Sequence, residues 1–357
     1  METSASQYEQ HAVQHYAREV RAQLPATVFQ RTPSRLLWLP LHLGIILAMA
    51  AIIIRTPPPW YVSVVCAIIA GHSWACLGFL AHEAMHHALV KNRAIERLVG
   101  YCGFGLYCLS PALWSVWHNQ AHHGNTGKRV ADPDGFGDLR FWQRNAVVRA
   151  LETLSPGSRY KRSGAFLFIW FSLHSLLVLL FHSQRNDYYT RVSRRVVYAE
   201  SAAMLAFWVT VGCLIGPYAF LFIYVVPVLV SNAIVMAYIA TNHFLNPLTE
   251  TNDPLANTLS VSNPRWLEAL HLQFGYHVEH HIFPTLSGRH APAVREVLVQ
   301  LYGARYLTMS HGRAVRLLYT RPKVHATHDT LVDPRTGAVF NALAPGDISM
   351  AAVPSMP

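Results

Sequence analysis

Stretches without Asp, Glu, Lys or Arg organise this chain. Leu36–Ile54 is such a run of 19 residues, Thr56–His82 of 27, Leu98–Gly127 of 30, Ala165–Gln184 of 20 and Ser201–Thr249 of 49. A helix needs about 20 apolar residues, each rising about 1.5 Å, to cross the hydrocarbon of a bilayer. Five runs of that length are not the buried helices of a soluble core. They predict an all-α integral membrane bundle. Spans are expected at Leu36–Ile54, about Trp60–Ala81, about 199–216 and about 218–241. The last two come from splitting the longest run at Gly216-Pro217, since 49 residues are too many for one crossing. Arg55 to Pro59 is a tight connector that makes the first two spans a hairpin.

Two runs fit less simply. Residues 98–127 are interrupted by glycines, Pro111 and polar side chains, which suits the membrane surface. If 165–184 crossed, the following Arg185, Arg191, Arg194 and Arg195, with one Asp187, would face outward and break the positive-inside bias. That run is therefore expected to be re-entrant or interfacial, leaving four spans. Residues 128–163 hold eight Lys or Arg against four Asp or Glu, a local +4 that points to the cytoplasmic side. Residues 1–35 read as a cytoplasmic N-terminal segment with a surface helix over Gln7–Leu24 and no secretory signal. Residues 36–321 form the membrane domain, and 322–357 are expected to be a poorly ordered tail.

Composition agrees with this picture. Charged residues are 13% of the 357, hydrophobic ones 52%, and the mean hydropathy is +0.20. Those values exclude a disordered chain and an ordinary soluble enzyme. The net charge of +10 does not argue for nucleic acid, because the cations flank apolar runs, where they meet lipid headgroups. Cys66, Cys76, Cys102, Cys108 and Cys213 lie in apolar surroundings without a CxxC pair and read as free core residues.

The candidate chemistry is histidine. Twenty-one His outnumber nineteen carboxylates, and they cluster. The segments are His82-Glu83-Ala84-Met85-His86-His87, His118-Asn119-Gln120-Ala121-His122-His123 and His277-Val278-Glu279-His280-His281, with His243 just after the last span. On an α-helix, residues three or four apart lie about 40–60° apart around the axis. His82/His86, His118/His122 and His277/His280 then share a face, and each doublet can feed one ring to each of two metals. By parity of the spans all three segments fall on one side of the membrane. His87 is a possible extra ligand. The isolated His42, His72, His174, His182 and His290 read as interfacial polar residues, and His271 is a weak ligand candidate. Eight or nine imidazoles exceed the four ligands that satisfy zinc. Imidazole suits iron, copper, zinc and nickel. Two irons with open positions suit activation of O2, so two Fe ions are the expected cofactor. Glu83, Asp132, Asp134 and Glu279 are expected to orient ring N–H groups.

The pattern HxxxHH, HxxxHH, HxxHH, with spans before the first segment and between the second and third, resembles the membrane fatty acid desaturases. The resemblance covers about residues 36–300. It extends to Ala131-Asp132-Pro133-Asp134, to Thr241-Asn242-His243-Phe244 and to Phe274-Gly275-Tyr276 through Phe283-Pro284. It implies a non-heme di-iron centre held by His82, His86, His118, His122, His123, His277, His280 and His281. His243 stands where some relatives supply a further ligand. The Asn that precedes that His by four residues in some of them is Ile239 here. The implied reaction is O2-dependent introduction of a cis double bond into an acyl lipid or acyl thioester. Its electrons would come from a separate ferredoxin or b-type cytochrome docking on a basic face that includes Lys128, Arg129, Arg185, Arg194 and Arg195. Hydroxylation or ketolation at the same site is the alternative. A metal transporter is disfavoured, because such proteins place charged ligands at mid-bilayer. Aromatic residues within Leu98–Trp117 and Ala165–Phe181 are the expected walls of an acyl tunnel. The expected location is the plasma, inner or endoplasmic reticulum membrane, with both termini and the metal site cytoplasmic.

Overall fold

The computed structural model describes residues 9–55, 58–129, 131–135, 137–185 and 187–344. Residues 56 and 57 of the expected connector, 1–8 of the N-terminal segment and 345–357 of the tail lie outside the described residues, as does the side chain of Arg185. The short helix α1 (Val13–Ala22) precedes α2 (Trp38–Arg55) and the long α3 (Trp60–Met85). Helices α4 (Arg93–Phe104), α5 (Pro111–Val116), α6 (Phe166–Leu177), α7 (Arg194–Phe220) and α8 (Val226–His243) follow. Beyond them lie strands β1 (Ser260–Ser262) and β2 (Thr308–Ser310) and helices α9 (His277–Ile282), α10 (Ala291–Tyr302) and α11 (His311–Thr320).

Four helical stretches are long and apolar enough to cross a membrane: Pro33–Arg55, Trp60–Met85, Lys161–His182 and Arg194–His243. The last has 50 residues, about 75 Å of helix, more than twice a hydrocarbon core. It breaks at Gly216, whose φ of +79° is open to glycine and costly for other residues. The chain then turns back on itself. The rings of Trp208 and Tyr224 lie 4.5 Å apart, and Phe220 packs on Gly212. Contacts between residues equidistant from the break make α7 and α8 an antiparallel hairpin. Its turn meets the start of α3, with Tyr218 Oη 3.3 Å from Ser63 Oγ and Ala219 and Phe222 packed on Ile53 and Cys66. Both hairpins therefore turn at the end of the bundle away from the histidines.

Helix α3 is the axis of the bundle and is mostly buried, whereas α2 shows most of its surface. A Cβ on Gly103 would sit 2.3 Å from Leu77 O, so the α3–α4 crossing admits only glycine there.

Helix α6 is a continuous helix extended by a π-turn to His182, not a broken re-entrant segment. Ser172 bonds Asn232 midway along α8, while other contacts reach the histidine end. Phe166 packs on Phe244 just past α8, His174 bonds Pro133 O at 3.1 Å, and Arg191 beyond the helix donates to Gln120 of the second histidine segment. Arg191, one of the cations that seemed to face outward, is engaged at that end instead.

The expected tail disorder does not hold for the described part. Strands β3 (Val324–His325), β4 (Thr330–Val332) and β5 (Val339–Asn341) form a small antiparallel sheet. His325 Nε2 lies 3.1 Å from Asn246 O, and Leu343 N donates to Leu245 O at 2.8 Å. Composition hid this because three short strands carry almost no periodicity of their own. The N-terminal helix is likewise docked: Tyr16 and Val20 are fully buried against α9 and α10, and Tyr16 Oη donates to Asp253 Oδ2 at 3.1 Å.

Candidate metal centre

Four parts of the chain deliver the histidines. The last turn of α3 carries His82, His86 caps its end, and the end of α8 carries His243. His118 and His122 belong to a π-turn, Trp117–His122, that continues α5, and His123 follows it directly. Helix α9 carries His277, His280 and His281. Helix α9 has only six residues and is started from outside. Ser260 Oγ in β1 accepts from both His277 N and Val278 N at 3.0 Å and donates to Glu279 Oε2 at 2.7 Å.

The structure brings nine rings together in two groups. In the first, His82, His86, His118, His123 and His280 converge, with Nε2–Nε2 separations of 3.0 Å for His82–His118, 3.2 Å for His118–His123 and 3.1 Å for His123–His280. The second joins His122, His243 and His281 with His277, whose Nε2 lies 2.9 Å from that of His243 and 3.3 Å from that of His281. The doublets divide as their rotation demands: His123 and His280 enter one group, His122 and His281 the other. The expected α-helical pairing of His118 with His122 is replaced by His118 with His123. A π-turn bonds i to i+5 and brings residues five apart into register, a feature frequent at functional sites.

His87 joins neither group. Its backbone turns to φ +65°, and Nδ1 lies 2.8 Å from Glu96 Oε2, beside Arg93. The chain leaves the helix at His86, so the ring five residues after His82 is carried away from the centre.

The four carboxylates play two roles. Asp132 Oδ1 accepts from His122 Nδ1 at 2.9 Å, and Asp134 Oδ2 lies 3.4 Å from the same atom. Asp134 Oδ1 also accepts from Trp117 Nε1 at 2.8 Å. Burial alone would push His122 down, but the two aspartates outweigh it and raise the group to about 9. Glu83 and Glu279 touch no histidine ring, contrary to expectation, because both point outward from their helices. Glu83 binds Arg35 Nη1 at 3.1 Å, Ser287 Oγ at 2.5 Å and Gly288 N at 2.9 Å. Glu279 accepts from Ser260 and Tyr306. Glu83 ties α3 to Arg35 of the N-terminal segment, and Glu279 ties α9 to β1 and to Tyr306 just before β2. Thr126 escaped sequence reasoning. Its hydroxyl donates to His122 O at 2.8 Å, and its oxygen stands 3.2 Å from His281 Nδ1. Its position four residues after His122 was the available signal.

The donor set fits metal. Burial, followed by mutual repulsion, pushes His118, His123, His277, His280 and His281 well below the ordinary imidazole range, so their lone pairs are free. His86 Nε2 is buried and finds no hydrogen-bond partner among the described residues, a costly state unless something takes its lone pair. Beside the rings runs an apolar cavity lined by Phe79, Phe104, Tyr107, Trp114, Trp170 and Phe171. It reaches His82 and His118 of one group and His122, His243 and His277 of the other. Both segments expected to supply tunnel walls contribute to it. Trp114 stacks on His118 at 4.6 Å between ring centres, and Phe274 meets His82 at 5.0 Å.

Rings from four separated segments meet beside an apolar cavity, an arrangement that could hold metal next to an apolar ligand, and sequence comparison gives the family. The fatty acid desaturase model matches residues 58–313, and the chain belongs to that family of oxidoreductases. It is similar to a Delta(8)-fatty-acid desaturase of Euglena gracilis, 27% identical over 80% of this chain and 71% of that protein. It is also similar to a Delta(5) fatty acid desaturase of Caenorhabditis elegans, 26% identical over 68% of this chain and 58% of that one. A third relative is an sn-1 oleoyl-lipid 12-desaturase of Synechocystis, 23% identical over 63% and 64%. The chain thus spans a little over half to under three quarters of the length of these relatives.

Proposed function

We propose that the protein is an O2-dependent fatty acyl desaturase that introduces a cis double bond into a long acyl chain at a non-heme di-iron centre. The observation that carries this reading is an apolar, aromatic-lined cavity that touches rings of both histidine groups. His82, His86, His118, His123 and His280 hold one iron in this reading, and His122, His243, His277 and His281 the other. When bound, the iron pair supplies the oxidising power drawn from O2. One acyl chain, one O2, two electrons and two protons give the olefin and two waters.

The chain's own residues do the positioning. Asp132 keeps the proton of His122 on Nδ1 and so presents Nε2 as the ligand atom. Thr126 holds His281 in the same sense. Phe79, Tyr107, Trp170 and Phe171 seat methylenes in the cavity, while Trp114 and Phe274 pack against the rings and exclude water.

Helices α2, α3, α7 and α8 cross the membrane in this reading, and α6 lies along its surface. The +4 charge of residues 128–163 supports a cytoplasmic histidine end. The described ends of the chain, α1 and the β3–β5 sheet, pack at that same end. A separate ferredoxin or b-type cytochrome delivers electrons to the face carrying Lys128, Arg129, Arg194 and Arg195. The test is expression in a host fed labelled fatty acids, with products read by mass. Loss of two hydrogens supports desaturation. Gain of one oxygen makes the protein a hydroxylase, and no modified lipid removes the proposal.

A further inference from the structure

Outside the nine-ring centre, three side chains with metal-binding atoms meet on the other side of Phe79. His72 and Cys76 stand one turn apart on α3, and His271 comes from the loop before α9, 199 residues later in the chain than His72. His72 Nε2 lies 3.1 Å from His271 Nε2, and His72 Nδ1 lies 3.9 Å from Cys76 Sγ. One donor atom from each of the three fits within 4.8 Å. Nitrogen and sulfur ligands in a trigonal plane, with metal bonds of about 2.0–2.3 Å, are about 3.5–3.8 Å apart, so small ring rotations suffice.

The surroundings favour a ligand over a chance contact. Tyr238 Oη lies 2.8 Å from His271 Nδ1 and accepts from Asn263 Nδ2 at 3.2 Å. A ring whose Nδ1–H is held this way presents Nε2 as a lone pair. Burial, then His72 and His311, pushes His271 down to about 4, so it is neutral. Facing His72 from α2 is His42, only 2% exposed, with neither ring nitrogen partnered among the described residues. Straight after His271, Leu272 and Gln273 both sit at φ +57°, a backbone that persists only where its surroundings fix it.

We propose that His72, Cys76 and His271 form a second metal site, separate from the nine-ring centre, that takes a soft monovalent cation, Cu(I). Ligand type selects the ion: thiolate with imidazole suits copper(I) or zinc. Charge chooses between them. The group contains no carboxylate, so one thiolate and two neutral rings make a neutral complex with Cu(I), whereas Zn(II) would leave a buried positive charge, which is costly. Binding releases the Cys76 proton and fastens the loop ahead of α9 to α3.

The test uses the full-length protein in lipid nanodiscs, equilibrated without oxygen against Cu(I) buffered by a competing chelator. Wild type is expected to hold one copper per chain with its iron content unchanged. A sulfur neighbour should appear in the copper X-ray absorption spectrum, and it distinguishes this site from the nine rings, which offer only nitrogen. Cys76→Ser is expected to lose at least 100-fold in copper affinity while retaining iron. His271→Ala should lose copper as well. Absence of the sulfur signal in wild type, copper retained by Cys76→Ser, or zinc held at this sulfur in place of copper would each overturn the assignment.

Discussion

The two histidine groups are built differently. The five-ring group is enclosed by aromatic surfaces, Trp114 on His118 and Phe274 on His82, and His86 Nε2 has no hydrogen-bond partner among the described residues. The four-ring group is braced by polar atoms, with Asp132 and Asp134 on His122 and Thr126 beside His281. One group is shaped by packing and the other by hydrogen bonds. Packing holds rings neutral and in place at no cost in protons, whereas carboxylates raise the basicity of a ring and make its binding depend on pH. The two metal positions should therefore differ in how they load and in how they fail.

Removing one ring from each group is the strongest test. His280→Ala and His122→Ala should both abolish product, by at least about 100-fold given what even indirect support of a metal ligand is worth, while the protein still inserts. Iron should fall from two per chain toward one. Equal iron in both variants and wild type would dismantle the assignment of rings to metals.

A smaller and more selective effect is expected from Asp132→Asn. Loss of the carboxylate behind His122 should weaken one metal about 10–100-fold and leave the other unchanged. A chelator titration resolving two steps in wild type should show only one of them shifted.

The pH dependence of the metal-free protein sharpens the contrast. Burial lowers His122, but the aspartates prevail and raise it to about 9. Its imidazolium–carboxylate contact stabilises the fold fully below the unfolded value near 6.5 and loses that contribution as pH rises through about 9. Metal must displace that proton, so uptake by the four-ring group should tighten between pH 6.5 and 9. Uptake by the five-ring group, whose His118, His123 and His280 are already neutral, should change far less over this window. Two-step iron titrations at the two pH values would read this, and parallel shifts would refute it.

The smallest effect belongs to His87→Ala. The ring is paired with Glu96 outside both groups, so iron content should stay within error of wild type and activity within about two-fold, as for a surface change. A loss of iron would return His87 to the centre.

Much of this was legible before any coordinates. The break at Gly216-Pro217 followed from the charge gaps and the three histidine clusters from their spacing, whereas Asp132 was expected to orient a ring without that ring being named. The π-turn did not, because residues 117–122 differ from an α-helix only in which carbonyl each amide finds, and composition does not record that. The roles of Glu83 and Glu279 were misread for a related reason. A carboxylate beside a histidine in sequence points to the opposite side of the helix, and its partners, Arg35 and Tyr306, are far away along the chain. The placement of α6 turned on Arg191 reaching Gln120, a contact no local pattern encodes.

The hydroxyl of Ser260 has a consequence for truncated chains. It starts helix α9, yet it lies in a strand whose partner among the described residues is Thr308–Ser310. The third histidine segment therefore leans on a strand that follows it in the chain. A chain ending before Thr308 would lack the strand that pairs with β1, and with it the support for the hydroxyl that starts α9.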